Sequence, residues 1–104
     1  MTSLVDHEGR PIRLSNERLA HILEHPEMQG LQAEIATTLR KPEAVIQSLS
    51  DPHVRRFYRY HRGTLVGHKY VCVVVKLAAS DAFVVTAYLT DKIKRGVPLW
   101  TGRT

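Results

Sequence analysis

Several side chains of this sequence fall at spacings that suit phosphodiester chemistry. His21 and His25 stand four residues apart in ERLAHILEHP (17–26), and a helix there brings both imidazoles to one side. Histidine suits proton transfer because its unperturbed pKa lies near neutrality. The segment VRRFYRYH (54–61) interleaves Arg55, Arg56 and Arg59 with Tyr58 and Tyr60. Guanidinium groups hold phosphates, and phenol rings stack on bases. Thr86 and Tyr88 are polar positions on the otherwise apolar run FVVTAYLT (83–90). A tyrosine hydroxyl donates to phosphate and its ring offers a stacking face. Metal-free cleavage of RNA needs such a set. A base takes the 2′-OH proton, a cation meets the charge of the phosphorane, and an acid protonates the leaving 5′ oxygen. One well-placed cation in such a site contributes about 2–4 kcal/mol.

The elements that must position these groups follow from periodicity. Short apolar runs flank Glu8-Gly9-Arg10 and predict a hairpin over residues 3–14. Ser15 is an N-cap with Glu17 in the first turn, and Leu19, Ile22 and Leu23 lie on one helical stripe. The predicted helix runs from about Asn16 to Glu24, and Pro26 disfavours helix at His25. A second helix is predicted over Leu31–Arg40, closed by Pro42. Past Pro42 the period changes to two. Strands are predicted at Glu43–Ser48, Val54–His61, Lys69–Leu77 and Phe83–Thr90, with turns between them short enough to make antiparallel neighbours. The expectation is one α+β domain over residues 1–104, with two N-terminal helices packed on a four-stranded antiparallel sheet. Alternation then sorts the faces. Phe83, Val85, Ala87 and Leu89 are expected against the helices, with Thr86 and Tyr88 on the far side. Arg56, Tyr58 and Tyr60 share one face of their strand, and Arg55, Phe57, Arg59 and His61 share the other. A slip of one residue exchanges the sets.

Charge is divided along the chain. Residues 1–52 hold five Lys/Arg and eight Asp/Glu, whereas residues 53–104 hold ten Lys/Arg and two Asp. The sheet half is therefore cationic, which suits a polyanion partner. The one cysteine, Cys72, cannot form an intrachain disulfide, and its valine neighbours mark it as packing. No signal-peptide run opens the sequence, and its apolar stretches are too short to span a bilayer. A cytoplasmic protein without membrane association is expected. Lys69 opens a strand, Lys92, Lys94 and Arg95 follow the last strand, and His53, His61 and His68 sit at turns and strand ends. Each of those three histidines is a further proton-carrier candidate, and nothing in the sequence selects one.

A competing motif is present. His21-Ile22-Leu23-Glu24-His25 has the form H-x-x-E-H, an inverted zinc-peptidase pattern. A catalytic zinc normally takes a third protein ligand, and only Asp51, Asp81 and Asp91 supply carboxylates after Glu43. Pro26 also breaks the helix where that motif continues. No metal ligand and no cofactor are expected.

Five segments occur in a telling order: ERLAHILEHPEM (17–28), a helix ending at Leu39-Arg40-Lys41-Pro42, RRFYRY (55–60), KYVCVVVK (69–76) and AFVVTAYLTDKIKRG (82–96). Together they resemble the phage-associated barnase–EndoU–colicin–RelE-like nuclease domains (PBECR). The resemblance implies a metal-independent endoribonuclease of toxin type, on a fold of two helices followed by a four-stranded antiparallel sheet. Its implied catalytic set is His21, His25, Arg56, Thr86 and Tyr88, with Arg55, Tyr58, Arg59, Lys69, Lys92, Lys94 and Arg95 binding RNA. A toxin of this type implies an antitoxin or immunity protein, expected to be acidic where it covers the cationic half. A non-catalytic RNA- or protein-binding module on the same fold is the alternative. It would bind polyanions with strong salt dependence and leave RNA intact.

Overall fold

A computed structural model of the chain describes residues 2–101. Strands β1 (Thr2–Val5) and β2 (Pro11–Leu14) form the N-terminal hairpin. Its turn is organised by the buried Asp6, whose Oδ1 accepts the N–H groups of Glu8 and Arg10, both at 2.9 Å. Gly9, at φ +83°, supplies the left-handed step that this turn requires.

Helix α1 (Asn16–Leu23) starts where Ser15 Oγ accepts the Arg18 N–H at 3.1 Å. A 3-10 turn at Pro26–Met28 ends it and seats the fully buried Met28. Helix α2 (Gln32–Arg40) buries Ile35, Thr38 and Leu39 and stops before Pro42. Strands β3 (Ala44–Gln47), β4 (Val54–Thr64), β5 (Gly67–Ala78), β6 (Asp81–Thr90) and β7 (Val97–Thr101) complete the chain.

The expected four-stranded antiparallel sheet is corrected. All seven strands join one mixed sheet in the order β1-β2-β6-β5-β4-β3-β7. β2 runs parallel to β6 through Arg13 and Phe83, and every other neighbouring pair is antiparallel. The hairpin thus extends one edge and β7 the other. The sheet, not the helical layer, dominates the molecule.

Both helices lie on one face of this sheet, α1 against β6 and α2 against β4 and β5. Between them and the strands lies the main core, which includes Ile22, Ile35, Leu39, Phe57, Val71, Val73 and Val84. The opposite face carries a smaller cluster of Ala44, Ile46, Tyr58 and Cys72, with Tyr70, Val74 and Tyr88 packed beside it. No helix is long and apolar enough to cross a membrane.

The β6 register needs a second correction. Val74 pairs with Thr86, but Val75 pairs with Val84, so Val85 is an extra residue in β6. Such a bulge shifts the alternation by one. Ala87 and Leu89 face the helices, yet below the bulge Val84 takes the core position and Phe83 turns to the other side.

Candidate nucleic-acid interface

The face of the sheet away from the helices is read directly from the pairing. One row across β4, β5 and β6 is Arg56–Val74–Thr86, and the next is Tyr58–Cys72–Tyr88. A third is Tyr60–Tyr70–Thr90. His68 continues this face, with its ring centroid 6.4 Å from that of Tyr60. Together with Val54, Lys76 and Phe83, these positions hold no carboxylate. Arg56, Thr86 and Tyr88 are half-buried here and sit on adjacent rows. The structure therefore brings these three predicted residues together.

Cys72 lies between the two phenols of its row. Burial pushes its thiol up to about 11, against hydrogen bonds from Tyr88 and Tyr58 that favour the thiolate. Burial likewise pushes the Tyr58 hydroxyl up to about 12 and raises that of Tyr88. Both hydroxyls are therefore proton donors at neutral pH, and Cys72 is a packed thiol. The Arg56 charge acts on all three groups in the opposite direction.

Part of this face is closed by the chain itself. After Thr90 the segment 91–96 crosses from β6 to the far edge, where β7 pairs with β3. Tyr58 Oη accepts the Lys94 N–H at 3.1 Å beneath it. Lys92, Lys94 and Arg95 are thus exposed on a strap anchored over the face. They do not belong to a free tail.

The other predicted residues are placed elsewhere. Tyr58 is fully buried, so it is removed from any stacking role and serves as the strap's anchor. Arg55, Arg59 and Lys69 alternate onto the helix side, where each has a partner. Arg55 Nη1 lies 3.8 Å from Glu8 Oε1, Arg59 Nη1 donates to the Lys41 carbonyl at 2.8 Å, and Lys69 Nζ pairs with Asp91. His61, on the same side, stands 3.3 Å from Glu34 Oε2.

His21 and His25 are adjacent, with ring centroids 6.4 Å apart, and both are exposed. They project from α1, which lies on the helix face. The sheet stands between them and Arg56, Thr86 and Tyr88, so the expected five-residue catalytic set is not one site. Glu24 Oε1 lies 3.8 Å from His21 Nδ1. Among the described residues no group of three His, Cys, Asp or Glu side chains is placed to hold a metal.

His68 is the histidine that sequence reasoning left unselected and the structure puts on the open face. Its Nδ1 accepts the Gly63 N–H at 3.1 Å, which leaves Nε2 as the free nitrogen. The signal was its period-two phase with Tyr70 and Cys72, legible only once the open face was known. Compared with known protein families, curated proteins and solved structures, the chain gives no match.

Proposed function

We propose that this protein binds single-stranded RNA across the open sheet face, with Arg56 as the central phosphate contact. The observation that carries this reading is the state of Arg56. Among the described residues it makes no ion pair, on a face whose central positions hold no carboxylate. The β4 and β5 cations that alternate to the helix side, Arg55, Arg59 and Lys69, each have a protein partner, and Arg56 is left for a ligand. Tyr60, 39% exposed, and Tyr88 supply ring surface for bases, and Thr86 supplies a hydroxyl. Lys92, Lys94 and Arg95 line the strap and extend the positive surface along the path of a strand. The reading places the protein in the cytoplasm, with an acidic inhibitor as the partner that would compete for this face.

Metal-independent cleavage of RNA is the second reading, favoured by the meeting of Arg56, Thr86 and Tyr88. A guanidinium beside two hydroxyl donors suits the charge of a phosphorane. His68 shares the face but lies six residues along β5 from Val74, the neighbour of Arg56 and Thr86, about 20 Å away, and so stands outside the reach of that phosphorane.

The test is a short labelled oligoribonucleotide incubated with the purified protein in EDTA, over a range of salt. Binding that weakens steeply with salt, and falls about tenfold in Arg56→Ala, is expected from loss of one charge-assisted phosphate contact. Intact RNA after incubation leaves the binding reading, and fragments that disappear with Arg56→Ala establish the second. Absence of binding by the wild-type chain at low salt would sink both.

A further inference from the structure

We infer that the chain carries a second ligand site, a nucleotide-binding groove at the sheet edge beside Trp100, which borders the open face through Tyr70 and the strap through Ile93. The groove has a volume of about 900 Å³ and opens where β4 runs on past the start of β3. Clefts of roughly 300–1,000 Å³ hold small molecules.

One wall is flat and aromatic. Trp100, 44% exposed, is fixed by its Nε1–H donating to the Pro42 carbonyl at 3.3 Å. The His7 ring stands between Trp100 and the core, with centroids 5.1 Å from Trp100 and 5.9 Å from Phe57. Ile93, from the strap, adds apolar surface. His7 Nδ1 is buried and has no hydrogen-bond partner among the described residues.

The other wall is cationic. Arg40, Lys41 and Arg59 line it. Arg59 is held in place by one guanidinium nitrogen on the Lys41 carbonyl, with the rest of the fork left over. Two carboxylates also line the groove, and both are engaged. Glu43 Oε2 accepts the Tyr60 N–H at 3.3 Å, and Glu8 Oε1 lies between Arg10 and Arg55. An aromatic wall facing the cations Arg40, Lys41 and Arg59 fits a ligand that joins a planar heterocycle to an anion. A nucleoside monophosphate has that chemistry, either free or as one unit of an RNA strand. Its base would lie on Trp100 beside His7, and its phosphate would meet Arg59 and Lys41.

Trp100 is the chain's single tryptophan, so its fluorescence reports on this groove. The experiment titrates AMP, adenosine and a short oligoadenylate into the full chain. Saturable quenching by AMP is expected, weakened about tenfold or more for adenosine and in Arg59→Ala and Lys41→Ala, as for loss of a charge-assisted contact. Arg56→Ala is expected to leave AMP quenching unchanged. Saturation by oligoadenylate but not AMP, with the same loss in Arg59→Ala or Lys41→Ala, would assign the nucleotide to an RNA strand. Circular dichroism checks each variant, and if Arg59→Ala fails to fold, Lys41→Ala decides. No saturable change with any of the three ligands overturns the proposal. So does quenching that survives in the folded variants, or AMP quenching lost with Arg56→Ala.

Discussion

The hydroxyl of Tyr58, buried in the sheet, accepts the backbone N–H of Lys94 at 3.1 Å across 36 residues of sequence. This bond ties the strap over the open face to the middle of β4. It explains why an aromatic residue in an arginine-rich strand is fully buried on a side that lacks helices. The strap and its cations are thereby held over the open face.

Tyr58→Phe keeps the ring and removes the acceptor. The Lys94 N–H is then left to solvent or unpaired, a loss of about 1–2 kcal/mol. Urea unfolding should show a lower midpoint with little change in slope, because the surface exposed on unfolding is nearly the same. An unchanged midpoint would mean that the strap is held by its other contacts.

Gly96 ends the strap where it meets β3. A methyl group placed on it would stand 2.5 Å from Ile46 Cγ2 and closer still to the Gln47 carbonyl oxygen. The carbonyl is backbone and cannot turn aside. Gly96→Ala should therefore destabilise the protein by about 2 kcal/mol or more, read as a drop in melting temperature. Pairing of β7 with β3 should be the first structure lost, seen as faster amide exchange at Val97–Thr101.

Alkaline pH should weaken the fold through the row Tyr58–Cys72–Tyr88. Burial raises the Cys72 thiol from its ordinary 9.0 to about 11 and the Tyr58 hydroxyl to about 12. A group whose folded value is raised contributes stability that is complete below its unfolded value. That contribution is lost as pH rises through the folded value. The loss should begin near pH 9 and proceed to about 11 for Cys72, at roughly 1 kcal/mol per pH unit. Urea midpoints measured from pH 8 to 11 should fall, and Cys72→Ala should flatten the slope. The same burial predicts that a thiol reagent labels Cys72 only as the chain unfolds.

Which of these features could be read from the sequence depends on their range. Ser15, Pro26 and Pro42 are local signals, and the helices begin and end beside them. Strand phase is also local, so Arg56 with Tyr58, and Thr86 with Tyr88, were sorted correctly within their strands. The extra residue Val85 leaves no mark on alternation, and it turned Phe83 to the wrong side of the expectation. β7 was hidden by Pro98 and by the charges before it, which resemble a solvated tail. As the outermost strand it tolerates a proline that a central strand would not. The separation of His21 and His25 from Thr86 and Tyr88 follows from alternation itself, which sets those two on the side away from the helices; only the resemblance joined them in one site.

That separation yields the sharpest comparison. His21 and His25 are exposed on α1, and Arg56 is half-buried on the opposite side of the sheet. A double variant His21→Ala/His25→Ala should bind the oligoribonucleotide within about twofold of wild type, since surface changes far from a contact add little. Arg56→Ala should lose about tenfold and show a shallower dependence on salt, by about one phosphate contact. The reverse ranking would place the RNA on the helix face and remove the open face from consideration. Equal losses would mean a ligand that wraps the edge of the sheet, and a footprint of protected amides on α1 and β4 together would then be required to match.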